Sequence, residues 1–347
     1  MAQENRSSQT PVSTTAHSTP AVAGLDYAPN VGPGELVSGR TIGLVISTAI
    51  LFAILAIRSD SFLSLYTMAI LARQIAFFVI IALAQAMCLV VGGMNLSVGA
   101  IGGFTTVILG LCIDKGHMPG FLAVPIALLV GSAAGFLNGT LITRLKIDSF
   151  IVTLSMMFVF MGLRSGISDG APYRLPDSFS YIGQSLGVPY VFLITLLVLA
   201  AVSYIFANTV FGRRLLATGG NPDAARLSGI NTDRMIVHAN VLSGFFAALA
   251  AVLWASMLSS AAPETGNDWL IISFAVAIIG GTGLTGGVVS GLGILMGAAI
   301  YMLIRHGLVE LKTNDYYANS FVGALILLAI ILDRAREVYA KRSTPPA

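Results

Sequence analysis

Small polar side chains stand on two glycine-rich octets that interrupt long apolar stretches of this sequence. Residues 92–99 read Gly-Gly-Met-Asn-Leu-Ser-Val-Gly and residues 280–287 read Gly-Gly-Thr-Gly-Leu-Thr-Gly-Gly, so both follow the pattern G-G-x-x-L-x-x-G. Amide and hydroxyl groups donate and accept hydrogen bonds but carry no charge. They therefore suit the binding of a neutral polar solute. The candidate residues are Gly93, Asn95, Ser97, Gly281, Thr282 and Thr285.

The glycines of the octets also have a structural meaning. Glycine lowers the steric barrier to unwound backbone and to close approach of helices. Apolar segments that are interrupted at corresponding places in the two halves of a chain are typical of the central path of a transporter. The octets therefore predict a chain that moves a solute and does not transform it.

Signatures of nucleotide and metal chemistry are missing. Neither a G-x-x-x-x-G-K-[ST] phosphate loop nor an H-E-x-x-H zinc motif occurs. Residues 281–286 formally match G-x-G-x-x-G, but the apolar residues that follow exclude the soluble βαβ unit that this pattern requires. Cys88 and Cys112 lie in apolar stretches without metal-ligand spacing. We predict no catalytic residue, no metal site and no cofactor bound by this chain.

The composition predicts a membrane protein. Of the 347 residues, 56% are hydrophobic and only 10% are charged, whereas soluble domains have roughly 25% charged residues. The apolar residues form blocks of about twenty, the length that crosses a hydrocarbon core. The predicted fold class is all-α, with about ten transmembrane helices in one bundle. The ten segments are 41–57, 66–91, 96–113, 119–143, 149–164, 187–207, 235–259, 269–283, 286–308 and 316–332.

Charge decides the orientation of the bundle. An even number of spans places both termini on one side, and with the termini in the cytoplasm twelve basic residues lie inside against five outside. Residues 165–186 then form an outer loop and residues 208–234 an inner loop. Residues 1–39, rich in Ser, Thr and Pro, are predicted to be a disordered cytoplasmic tail. Residues 40–335 are the transmembrane domain and 336–347 a cytoplasmic tail.

The inner loop carries a helix signal. Asn221 suits an N-cap, Pro222 the first helical position, Asp223 the positive end of the helix dipole, and Gly229 the residue after the helix. A short, well-capped helix in so long a loop favours a docking element for another protein, although a capped connector has the same pattern. The candidate docking residues are Gly220, Asn221, Ala224, Ala225, Ser228 and Gly229.

Residues 135–154 form a third polar region. They end one apolar segment at a basic turn and start the next at Ser149. Asn138 and Thr153 lie at membrane depth, where polar side chains usually bond to a neighbouring helix, so we predict a structural role for both. Arg73 lies either inside the bundle or at the outer interface.

These regions, taken in order, resemble the permease subunit of the ribose/xylose/arabinose/galactoside class of bacterial ABC sugar importers. The similarity covers roughly residues 41–335, with motifs at 92–99, 135–154, 220–230 and 280–291. It implies a homodimer in the bacterial inner membrane, surrounded by lipid and without a nucleic-acid partner. It also implies a cytoplasmic ATP-binding-cassette ATPase, which binds the ATP and Mg²⁺, and a periplasmic solute-binding protein. The chain departs from the family pattern at Asn95, which is often Asp, and at Gly283, which is often a small polar residue.

Two functions from different classes remain open on the residues alone. In the first, the octets line a path for a sugar, and an ATPase pushes on the helix at 221–229 to switch the bundle between outward and inward openings. In the second, the chain is an ion-coupled secondary carrier, although the predicted spans hold few ionisable residues. A passive channel is a third, weaker option. Each octet follows a segment that runs inward, which suggests a parallel internal repeat.

Overall fold

A computed structural model describes residues 39–59, 61–184 and 190–310, together with residues 320, 323, 324 and 327. All of them belong to one unit, Leu36–Ala347. Nearly all of the predicted N-terminal tail, most of the segment 316–332 and the whole C-terminal tail lie outside the described residues, so these three assignments stay predictions.

Helices make up almost all of the described chain. The first half contains α1 (Gly39–Arg58), α2 (Leu65–Val90), α3 (Val98–Gly110), α4 (Gly120–Leu145), α5 (Ser149–Ser168) and α6 (Asp177–Gln184). The second half contains α7 (Tyr190–Asn208), α8 (Val210–Gly220), α9 (Pro222–Leu227), α10 (Thr232–Leu258), α11 (Trp269–Ile279) and α12 (Gly291–Glu310). A π-helical turn, Leu111–Lys115, continues α3. Two short strands, β1 (Tyr173–Arg174) and β2 (Ser260–Ala261), pair antiparallel.

The described helices confirm the membrane prediction. Eight of them, α3 being counted with its π-helical turn, are long and apolar enough to span a bilayer, and α11 is a shorter apolar helix. They match the first nine predicted segments. The predicted outer loop contains β1 and α6, and the inner loop contains α8 and α9.

The core of the bundle lies around α2 and α10. Every residue of α2 from Ala76 to Val90 is buried, as expected of a helix that is apolar on all sides. α10 packs along α4 and α2. The contact with α4 depends on small residues, since a Cβ atom at Gly135 would lie 2.1 Å from the carbonyl oxygen of Asn240. Only glycine permits the two backbones to approach so closely.

The predicted cytoplasmic ends of α4 and α10 lie side by side. Lys146 follows α4 and Asp233 lies in the first turn of α10, and their side chains form an ion pair of 2.6 Å. At the other end, Arg73 of α2 donates a hydrogen bond of 3.1 Å to the carbonyl oxygen of Gly183 in α6. The end of the inner loop therefore lies beside the turn after α4.

Candidate functional site

The first octet is a non-helical connection between α2 and α3, and α5 holds it in place. The Ser149 hydroxyl accepts a hydrogen bond from the amide of Met94 at 3.0 Å, and the Thr153 hydroxyl accepts one from the amide of Leu96 at 3.1 Å. Irregular backbone at membrane depth requires such partners because lipid offers none. The structural role predicted for Thr153 is thereby confirmed.

Asn95 lies at the centre of a buried hydrogen-bond network. Its amide nitrogen donates to the Ser243 hydroxyl of α10 at 2.9 Å. Its carbonyl oxygen accepts from the Ser97 hydroxyl at 2.7 Å and from the Ser97 amide at 3.0 Å. The Asn138 amide of α4 donates to the Ser97 hydroxyl at 2.7 Å. The network joins α10 and α4 to the octet, which confirms the structural role predicted for Asn138.

This network determines where the first set of candidate path residues lies. Asn95 and Ser97 are fully buried, and Gly93 is half-buried. The polar groups of Asn95 and Ser97 are bonded to the chain itself, so in this conformation they stabilise the break between α2 and α3. Contact of these residues with a solute stays a prediction.

The second octet follows α11 and is more open. Gly281 has a positive φ of 91° and is buried. Thr282 is also buried, and its hydroxyl has no hydrogen-bond partner among the described residues. Thr285 is exposed. The second octet therefore offers one unpaired hydroxyl inside the bundle and one at its surface.

The predicted inner-loop helix exists as α9, and its caps are those that the sequence predicts. The Asn221 side chain accepts a hydrogen bond from the amide of Ala224 at 3.0 Å. Beyond the helix, Gly229 has a φ of +79°, and its amide bonds to the carbonyl oxygen of Arg226 at 2.9 Å. The Ile230 amide bonds to the carbonyl oxygen of Ala225 at 3.0 Å, which completes a Schellman motif.

The faces of α9 differ from one another in exposure. Ala225 is buried against the bundle, whereas Ala224 and Ser228 are exposed. Leu227 has an exposed fraction of 91%, and the sequence prediction did not include it. The signal that identifies it is helical spacing: Leu227 lies three residues after Ala224 and one before Ser228, so it belongs to the exposed side of α9 that holds both.

Both octets and the α8–α9 turn meet in one place, which we call the glycine junction: Gly92, Gly219, Gly286 and Gly287. The amide of Gly287 donates a hydrogen bond of 2.9 Å to the carbonyl oxygen of Val90, the last residue of α2. A Cβ atom at Gly219 would lie 1.8 Å from that same oxygen. A Cβ atom at Gly286 would lie 2.8 Å from the Gly92 nitrogen and the Gly219 oxygen. The backbone leading into α9 therefore touches the second octet directly, and Gly286 of that octet lies in turn against Gly92 of the first.

Comparison with known proteins shows the family to which the chain belongs. The sequence model of the family described as "Branched-chain amino acid transport system / permease component" matches residues 67–330. A solved chain described as a metal-chelate-type ABC transporter in an inward-facing conformation has a TM-score of 0.50 and 15% identity, and the match covers 86% of this chain and 99% of that chain. That likeness concerns the fold alone.

Curated relatives are similar over most of their length. The ribose import permease protein of Haemophilus influenzae is 33% identical over 295 residues, covering 83% of this chain and 91% of the relative. The autoinducer 2 import system permease protein of Photorhabdus luminescens is 31% identical over 300 residues, covering 85% and 89%. The fructose import permease protein of Rhizobium meliloti is 31% identical over 308 residues, covering 86% of each.

The membrane bundle and its capped surface helix define a transport permease. The chain belongs to the permease family of ABC importers that these relatives represent. It is a multi-pass inner-membrane protein, and its family is one of transporter components and not of enzymes. The ATP-driven class is thus favoured over the ion-coupled carrier.

Proposed function

We propose that this chain forms one half of a homodimeric path that carries a neutral sugar into the cell. A periplasmic solute-binding protein delivers the sugar, and a separate cytoplasmic ATPase chain binds ATP and Mg²⁺ and drives the change between the two openings. The chain itself binds no cofactor. Relatives named for ribose and fructose import support the substrate class.

The observation that carries the proposal is the glycine junction. α9 presents Ala224, Leu227 and Ser228 outward for the ATPase. At its other side, Gly219 in the chain that leads into α9 touches the end of α2 and the second octet, and Gly286 of that octet lies against Gly92. A displacement of α9 by the ATPase therefore reaches the breaks at Gly92 and Gly286 without an intervening side chain.

Reconstitution tests the function. The permease is placed in proteoliposomes alone or with an ATPase and a solute-binding protein of the importer, and uptake of radiolabelled D-ribose, D-fructose, D-xylose and D-galactose is measured. We expect uptake of at least one sugar only with both partners and hydrolysable ATP. A non-hydrolysable ATP analogue is the matched control. Uptake by the permease alone under a proton or sodium gradient would contradict the proposal.

A further inference from the structure

The segment between β2 and α11, residues 262–268, runs into the bundle along α3, and we call it the re-entrant segment. Ala261 precedes it, and a Cβ atom at Gly110 of α3 would lie 2.7 Å from the Ala261 Cβ. A Cβ atom at Gly99 would lie 2.1 Å from the carbonyl oxygen of Gly266. Since Gly99 and Gly110 are eleven residues apart in one helix, the segment descends about 16 Å along it.

The end of this segment lies at the middle of the bundle. Trp269 follows it directly, and its ring centroid is 5.1 Å from that of Phe77. Phe77 is the thirteenth of the 26 residues of α2, which spans the bundle. Residues that follow the predicted outer end of α10 therefore reach the middle of α2, a helix long enough to cross a membrane.

Arg164 of α5 holds the segment at this depth. Its Nη1 donates to the carbonyl oxygen of Thr265 at 2.8 Å, and its Nη2 donates to the side-chain oxygen of Asn267. The residue has an exposed fraction of 4%, and its Nε has no partner among the described residues. Glu264 interacts with the guanidinium electrostatically. The guanidinium thus joins α5 to two points of the segment while Gly103 leaves room for it beside α3.

Three polar side chains of the segment face outward from this protomer: Glu264, Asn267 and Asp268 are exposed. Within the described part of the chain, neither carboxylate lies within 4.0 Å of a basic nitrogen. Ionisable groups at the middle of a membrane face a water-filled cavity or a polar partner, because exposure to lipid is costly. Non-helical backbone at that depth obeys the same restriction.

From these four observations we infer that the re-entrant segment forms a polar wall of the translocation path at the middle of the membrane. This inference rests on the proposed function. The carboxylates of Glu264 and Asp268 accept hydrogen bonds from sugar hydroxyls, and the Asn267 amide donates one. Arg164 is a positioning residue, which fixes the segment without touching the sugar.

Thiol labelling tests the water accessibility of the segment. In a chain carrying Cys88→Ala and Cys112→Ala, single cysteines are placed by Glu264→Cys, Asn267→Cys and Asp268→Cys. A charged, membrane-impermeant methanethiosulfonate is added to right-side-out and to inside-out vesicles. Leu197→Cys is the matched control, because Leu197 is 71% exposed and lies near the middle of α7 in an apolar surround. We expect labelling of the three segment positions and none at Leu197.

Two results would overturn the inference: no labelling of any segment position from either side, or equal labelling at Leu197. Neither result depends on uptake, so a failure of the proposed function is distinguishable from a failure of this inference. Three independent positions keep the test decisive if one variant does not reach the membrane.

Substitution tests the contact with sugar. In the complete importer, with the sugar that the reconstitution identifies, Glu264→Gln and Asp268→Asn each remove a charged acceptor at nearly constant volume. We expect the uptake rate to fall about tenfold for each, the effect of losing roughly one hydrogen bond. Glu310→Gln at the end of α12 is the control and leaves uptake unchanged. Wild-type uptake in both segment variants would contradict contact with the sugar.

Discussion

The amide nitrogen of Gly287 lies 2.9 Å from the carbonyl oxygen of Val90, and this hydrogen bond joins the second octet to the end of the central helix α2. Gly219 packs on the same oxygen with no room for a side chain. A carbonyl shared in this way couples three segments, because none of the three can shift without moving the other two or breaking the contact.

The first prediction concerns Gly219→Ala. The added Cβ would lie 1.8 Å from the Val90 oxygen, so α8 must move away, at a cost of about 1–3 kcal/mol for overpacking. Alanine favours a helix over glycine, so a loss comes from the contact and not from α8 itself. We expect sugar uptake to fall at least about tenfold while the ATPase still copurifies with the permease.

Gly162→Ala is the matched control for that variant. Like Gly219→Ala, it replaces a helical glycine, in α5, but no atom lies within 4 Å of its added Cβ. We expect near wild-type uptake. Equal uptake in the two variants would show that the glycine junction carries no coupling.

The second prediction places the ATPase contact on Leu227. Its side chain is 91% exposed, so Leu227→Arg leaves the fold of α9 intact but puts a charge on the docking face. We expect the ATPase to be lost from affinity-purified permease, whereas Leu227→Met retains it. Ala225→Arg is unsuitable for this test, since Ala225 is buried. If the Leu227→Arg permease retained the ATPase, the ATPase would have to dock on a part of the chain other than α9.

The third prediction concerns the network at Asn95. Asn95→Ala leaves the Ser243 hydroxyl without its donor and the Ser97 amide without its acceptor. Unpaired buried polar groups cost about 1–3 kcal/mol each. We expect a lower midpoint of thermal unfolding in detergent. Ser155→Ala, whose exposed hydroxyl bonds only within α5, leaves the midpoint unchanged, and an equal midpoint for both variants would contradict the role of Asn95.

The fourth prediction tests whether Arg164 positions the re-entrant segment or only stabilises the fold. Arg164→Lys keeps the charge but loses the planar fork that reaches both Thr265 and Asn267. In the Asp268→Cys chain, we expect this change to alter the thiol-labelling rate because the segment is no longer fixed. Arg174→Lys, at the exposed position of strand β1, leaves the rate unchanged. An unchanged labelling rate in the Arg164→Lys chain would show that Arg164 does not position the re-entrant segment.

Local features were the most predictable from sequence. The caps of α9 depend on Asn221, Pro222 and Gly229, which act within one or two helical turns, and the structure places all three as expected. The spans depend on blocks of about twenty apolar residues, which the bilayer thickness requires whatever the tertiary contacts.

The remaining features depend on residues that are far apart in sequence. Ser243 comes within bonding distance of Asn95 only because α10 packs against the first octet. Residues 262–268 contain a proline, a glycine and two acidic residues, a composition typical of a surface loop. Their depth depends on Gly99, which leaves room for Gly266 beside α3, and on Arg164, which bonds to Thr265. These contacts join residues far apart in sequence, so no local sequence pattern predicts them.

The distance between the re-entrant segment and the glycine junction has an evolutionary consequence. Trp269 contacts α2 at Phe77, and Gly287 contacts it at Val90, so the two regions are separated by thirteen residues, or about 20 Å of helix. Substitutions that alter which molecule is accepted need not disturb the machinery that moves it. Relatives named for ribose, fructose and autoinducer 2 fit such a division, in which the accepted solute changes while the region around the glycine junction is retained.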